Sequence, residues 1–171
     1  MNYDIKFDSH NILFVGITEA LLDDYMEMVN NSEISKYISL KNRLFSKDDE
    51  KNWINDKIQN KKVIFSMLEK NTKKFIGNIE LMSIEKNIGE LGICLTAKMQ
   101  NKHYGYEAIK RFIDYCFEDL NLEGIELSVY SHNDRAKHLY KKLGFVEYKV
   151  EKNVGEYDGQ KIDDIYMKYI K

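Results

Sequence analysis

Apolar positions along the chain follow two periods, and the switch points between them mark the elements. Asn11-Ile12-Leu13-Phe14-Val15-Gly16-Ile17 is an apolar run of strand length, and Tyr3-Asp4-Ile5-Lys6-Phe7 offers it a partner. Thr18 then opens a helix with Leu21, Leu22, Tyr25, Met26 and Val29 on one side, stopped by Asn30-Asn31. A short piece follows from Ile34 to Ile38. Ser46 caps the next helix, with Asp48, Asp49 and Glu50 in the first turn, where the dipole favours acids. Trp53, Ile54 and Ile58 form its apolar face.

Beyond this helix the pattern changes to strands. Val63–Leu68, Phe75–Met82 and Ile88–Leu95 are joined by turns at Asn71–Lys74 and Glu85–Asn87, which predicts an antiparallel meander. After Gly105, apolar residues at Ala108, Ile109, Phe112, Ile113, Cys116 and Phe117 return to helical spacing. Asn121-Leu122-Glu123-Gly124 breaks this helix, and Ile125–Tyr130 alternates as a strand. Because it follows a strand–helix unit, it should lie parallel to the strand ending at Leu95. A helix starting at Asn133 or Asp134 carries Ala136, Leu139, Tyr140 and Leu143 and ends at Gly144. Phe145–Val150 and Lys161–Tyr169 close the chain as a hairpin across Gly155–Gln160. The element order predicts one α+β domain spanning residues 1–171 around a mostly antiparallel sheet.

Composition narrows the classes. A chain of 171 residues can bury a full core, and a net charge of −2 gives no general pull toward nucleic acid or anionic membrane. No apolar run approaches the ~20 residues of a membrane span, and the N-terminus lacks the layout of a signal peptide. Cys94 and Cys116 sit in apolar runs without metal-ligand spacing, so they read as buried thiols in a reducing, cytoplasmic setting, with no metal site. The chain has no proline, so its boundaries rest on glycine, asparagine and capping residues.

The chemistry concentrates where the strand ending at Leu95 hands over to the helix near Tyr104. Unpaired N–H groups at such a junction, backed by the helix dipole and the charge of Lys102, form an anion site suited to phosphate. Gln100-Asn101-Lys102-His103-Tyr104-Gly105 resembles the acetyl-CoA pyrophosphate loop, Gln/Arg-x-x-Gly-x-Gly/Ala, of the GNAT N-acetyltransferases. His103 stands where that pattern has its first glycine. Asn133-Asp134-Arg135-Ala136-Lys137-His138-Leu139-Tyr140-Lys141-Lys142-Leu143-Gly144-Phe145 is similar to the same family's Asn-x-x-Ala-x-x-x-Tyr-x-Lys-x-Gly-Phe at every specified position.

The resemblance implies a GNAT-like sheet of about seven strands flanked by helices, with a V-shaped splay between the fourth and fifth strands, those ending at Leu95 and starting at Ile125. It implies acetyl-CoA as cofactor, held by the backbone of Cys94, Leu95 and Thr96, by the loop Gln100, Asn101, Lys102, His103, Tyr104, Gly105 and Tyr106, and by Asn133, Ala136 and Tyr140. Tyr140 would protonate the departing thiolate, which a phenol with an ordinary pKa of about 10 can do at neutral pH. The attacking amine must first lose a proton, and Glu90 and Glu80 are the candidate bases, although each reads more simply as a solvated strand residue. His103, His132 and His138 have suitable intrinsic pKa values, but turn and helix-surface positions explain them as well.

Acceptor pockets in the family form from the first helices and the last hairpin, here Ser32–Leu44 and Gly155–Gln160, where Tyr37, Tyr157 and Glu80 could meet a cationic amine. The loosest part of the resemblance is to branches acting on ribosomal-protein N-termini or polyamines, through Asn30–Ile34 and Asn121–Ile125. A small-molecule or peptide amine is the implied partner, and relatives allow a homodimer. A non-catalytic acyl-CoA-binding, sensing or protein-interaction module is the alternative that His103 and the unassigned base keep open.

Overall fold

Short turns and cross-strand apolar pairs build an eight-stranded sheet in the order β1-β2-β3-β4-β5-β6-β8-β7. The computed structural model describes residues 2–38 and 44–170. The strands are β1 (Ile5–Asp8), β2 (Ile12–Gly16), β3 (Ile64–Glu69), β4 (Phe75–Glu85), β5 (Ile88–Leu95), β6 (Gly124–Tyr130), β7 (Val146–Tyr157) and β8 (Gln160–Ile170). The helices are α1 (Leu22–Val29), α2 (Ser32–Ile38), α3 (Lys47–Gln59), α4 (Tyr104–Glu118) and α5 (Asp134–Leu143). Among the described residues seven pairings run through this order, and only β5–β6 is parallel. This is the mixed, mostly antiparallel architecture expected from the sequence, with β1 as an additional edge strand.

Each face of the sheet has its own core. Ala108, Ile109, Phe112 and Cys116 of α4 are fully buried against Ile79, Ile125, Leu127 and Met167, with Leu139 and Leu143 of α5 packed alongside. On the other face Tyr25 of α1 and Ile54 of α3 are buried with Val15, Leu68 and Phe75. Fully burying a large apolar side chain is worth about 1.5–3 kcal/mol, so these two clusters fix which helices lie on which side.

One pairing controls the site. β5 and β6 are in register only at Ile88↔Gly124, Gly89↔Ile125 and Glu90↔Glu126. Beyond Glu90 the two strands continue without pairing, β5 to Leu95 and β6 to Tyr130. That divergence is the V-shaped opening. On its other edge β5 stays paired with β4 as far as Gly77↔Leu95. Gly77 is required there because a Cβ on it would overlap the Cys94 carbonyl oxygen.

Three local expectations are corrected. Ile58 is 55% exposed, because the inward row of α3 runs Glu50, Ile54, Lys57 and leaves Ile58 about 70° off its centre. The hairpin connection is not Gly155–Gln160 but Asp158-Gly159 alone, both at positive φ. That is the two-residue mirror-image turn whose twist matches the flanking strands, so Gly155 and Glu156 belong to β7. Thr18 caps a single 3-10 turn, Glu19–Leu21, and α1 starts after it.

Candidate active site

The chain leaves β5 through a 3-10 turn at Ala97–Met99 and enters α4 at Tyr104 with His103 in the left-handed conformation, φ 65° and ψ −1°. No side chain caps α4, and the backbone N–H groups of Tyr104, Gly105 and Tyr106 have no acceptor among the described residues. Histidine adopts this conformation at some cost where glycine would take it freely. Its exposed side chain makes no hydrogen bond to the loop among the described residues.

Gln100 turns back on the strand, its Nε2 donating to the Leu95 carbonyl at 3.1 Å. Asn101 is also left-handed, and Lys102 is exposed with its Nζ 4.0 Å from the Met99 sulfur. Two long-range anchors hold the start of α4. The Tyr104 hydroxyl donates to Glu69 at the end of β3, which pushes the phenol up to about 12. Glu107 accepts from Ser9 Oγ at 2.6 Å, from the Asn11 N–H at 2.6 Å and from Asn11 Nδ2 at 2.9 Å. Gly105 lets α5 approach, since a Cβ there would meet Leu139 at 3.2 Å.

Tyr140 comes from α5 and belongs to the α4-side cluster, whereas Cys94 on β5 packs against the opposite cluster. Burial pushes the Tyr140 phenol up to about 12, and Cys94 is the one other group that acts on it. The electrostatic influence of Cys94 puts the ring near the edge of β5 that β6 leaves unpaired. Its hydroxyl has no hydrogen-bond partner among the described residues, and only 8% of the residue is exposed. A neutral phenol with no partner can give a proton to a nascent anion. Cys94 is itself pushed up to about 12 by burial, so its thiol stays protonated and is a poor nucleophile.

The other predicted residues divide into groups. Asn133 caps α5, its Oδ1 accepting from the Ala136 N–H at 3.2 Å. The Thr96 N–H donates to the Ile76 carbonyl at 2.9 Å, and Cys94 pairs with Asn78, so this end of β5 is firmly held on its β4 side. Glu80 is ion-paired with Lys57 of α3 in a part-buried position. Glu90 lies at the last paired position before the strands diverge and accepts from Ser83 Oγ at 3.0 Å. Tyr37 and Tyr157 come together through His132, whose ring stacks at 5.2 Å on Tyr37 and 4.8 Å on Tyr157. Part of the expected acceptor loop, residues 39–43, lies outside the described residues.

Sequence reasoning left His132 without a role and passed over Tyr130 and Asp164. No periodic signal marks them. Only the cross-strand register Tyr130↔Asp164 and the stack on His132, centroids 5.9 Å apart, join them.

The residues present fit acetyl-CoA. Bare N–H groups at the start of α4 suit a diphosphate, and the unpaired edge of β5 suits an extended amide chain. Among the described residues no three His, Cys, Asp or Glu side chains are grouped to hold a metal. No described helix is long and apolar enough to cross a membrane.

A family model described as acetyltransferase (GNAT) domain matches residues 11–146. Spermidine N(1)-acetyltransferase of Vibrio cholerae serotype O1 is 37% identical over 83 residues, 47% of this chain and 48% of that one. L-amino acid N-acetyltransferase AaaT of Escherichia coli K12 is 28% identical over 85 residues, 50% of this chain and 52% of that one. The chain thus spans about half the length of these relatives. The crystal structure of spermidine N-acetyltransferase from Vibrio cholerae in complex with CoA and spermine superposes with TM-score 0.86 at 27% identity, covering 95% of this chain and 96% of that one. An acetyltransferase (GNAT family) from Bacillus anthracis shares the fold, with TM-score 0.83 at 19% identity over 95% and 96% of the two chains.

Proposed function

The chain belongs to the GNAT acetyltransferase family, and from that premise we propose that it is an N-acetyltransferase moving an acetyl group from acetyl-CoA directly to a primary amine. The observation that carries this is the partnerless, buried phenol of Tyr140 in the opening beside the unpaired edge of β5. Bound acetyl-CoA supplies a thioester that a neutral amine can attack. The N–H groups of Tyr104, Gly105 and Tyr106, with Lys102, hold its diphosphate, and the β5 backbone from Cys94 to Thr96 aligns its amide arm. Backbone N–H groups on the splayed edge of β5 stabilise the oxygen that gains charge. Tyr140 Oη holds its proton at neutral pH and delivers it to the sulfur.

Glu90, at the apex of the opening, draws the proton from the amine through water. Glu80 keeps Lys57 as its partner and shapes the wall. A polyamine is the acceptor this reading favours. Two supports point that way: spermidine in the names of similar proteins, and acids at Glu90, Glu126 and Asp164 on β5, β6 and β8. Two free thiols, Cys94 and Cys116, suit work in the reducing cytoplasm.

Thiol release from acetyl-CoA across spermidine, peptide N-termini, aminoglycosides and amino sugars tests the reading. Release with spermidine or another amine is expected. Tight acetyl-CoA binding with release on none of them would favour a cofactor-sensing module instead.

A further inference from the structure

Two buried side-chain polar atoms have no hydrogen-bond partner among the described residues, His132 Nδ1 and Asp164 Oδ1. Such atoms are rare in folded proteins and call for an explanation. Both adjoin Tyr130. Asp164 on β8 is the register partner of Tyr130 on β6, and the Tyr130 ring stacks on His132. Residues directly opposite on adjacent strands point their side chains to the same face.

Both atoms are acceptors. His132 Nε2 lies 3.1 Å from the Lys36 carbonyl oxygen of α2, which can only accept. Nε2 therefore carries a proton, and in that tautomer Nδ1 presents a bare lone pair. The Asp164 carboxyl has Ser128 and the Ile165 N–H as hydrogen-bond partners, yet Oδ1 is left over. Burial pushes this carboxyl up from its ordinary value, a shift that an arriving cation would reverse.

The surroundings suit a positive donor. His132 is flanked by the rings of Tyr37, Tyr130 and Tyr157, and aromatic faces attract cations. The nearby cations already have partners: Lys36 pairs with Glu33 at 3.0 Å and Lys137 with Asp134 at 2.8 Å. His132 precedes α5 and Tyr140 lies eight residues on, about 12 Å along the segment at helical rise. An extended aliphatic amine spans such a gap with its reacting nitrogen at one end.

We propose that Asp164, Tyr130, His132 and Tyr157 form the pocket for the second, non-reacting ammonium of a di- or polyamine acceptor. The pocket selects acceptors that carry a positive charge at a distance from the nitrogen being acetylated. This rests on the acetyl-transfer reading above and deepens it. Tyr157, 38% exposed at the end of β7, covers His132 on the solvent side.

The test compares spermidine with butylamine, which has no second ammonium, in the whole protein. His132→Phe keeps the ring stack and removes Nδ1, and Asp164→Asn keeps the shape and removes the charge. For each variant the spermidine-to-butylamine ratio of kcat/KM is expected to fall roughly tenfold or more, through the KM of spermidine. An unchanged ratio in variants that melt like the wild type overturns the pocket. Should the wild type release thiol with no amine, acetyl transfer fails, and calorimetric titration of spermidine into the CoA-bound protein decides the pocket alone. Binding weakened tenfold by either substitution supports it, and equal binding overturns it.

Discussion

Tyr140 keeps its proton because ionising it would strand a charge in buried surroundings, and in the proposed reaction that reluctance would suit it as a donor. Removing only its hydroxyl should separate chemistry from packing. Tyr140→Phe is expected to lower kcat by about 10² or more, with little change in the KM for acetyl-CoA. Steady-state kinetics check this, and unchanged turnover would take the phenol out of the acid role. His103 raises a different question at the same scale. It occupies the left-handed region at φ 65°, where a Cβ costs roughly 1 kcal/mol. His103→Gly is expected to hold or raise the melting temperature and to keep the acetyl-CoA dissociation constant within threefold. Calorimetry that finds tenfold weaker binding would mean the imidazole itself meets the phosphates.

At the scale of elements, the start of α4 is positioned by contacts remote in sequence. Glu107 joins its first turn to the β1–β2 connection through Ser9 and Asn11. Burial raises this carboxyl, but its three hydrogen bonds outweigh burial and leave it below the usual value of 4.5. A lowered carboxylate contributes stability above its unfolded pKa and loses it as pH falls through the folded one. Glu107→Gln should thus cost about 1–2 kcal/mol at pH 7 and less in acid, read from urea midpoints at pH 7 and pH 3.5. A gap independent of pH would contradict it. On the other side of the sheet, Gly77→Ala forces a Cβ into the Cys94 carbonyl and should destabilise by more than about 2 kcal/mol, weakening acetyl-CoA binding along with it.

Much at this scale was legible in the sequence. Apolar periodicity located α1, α3, α4 and α5, because their inward rows carry the burial that forms them, whereas α2 was legible only as a short piece from Ile34 to Ile38. The hairpin was misread because Gly155 looked like a loop residue, although Asp158-Gly159 held the turn signal. The aromatic meeting of Tyr37, His132 and Tyr157 was not legible as a unit. Its members come from α2, the β6–α5 loop and β7, and only tertiary packing aligns them.

Across the whole molecule, burial sets the response to alkali. Cys116 is pushed up to about 12 from 9.0, and Tyr25 and Tyr140 to about 12 from 10.0, in each case chiefly by burial. The folded protein holds these protons longer than the unfolded chain, so unfolding releases them in base. Stability is expected to be level through neutral pH and to fall as pH rises from 9 toward 12. Urea midpoints at pH 7, 9 and 10.5 check this, and a level profile would count against these groups being sealed in the core.

The early separation of β5 from β6 has a further result. Most sheets expose raw hydrogen-bonding edges at their margins, where charge and twist keep strangers away. Here two such edges face each other in mid-sheet, and the natural guest is a metabolite whose supply varies. Occupancy by that guest contributes to holding the native state through mass action. Starving the protein of coenzyme A should therefore make it more easily digested and more prone to clumping, with the soft spot between residues 91–95 and 127–130.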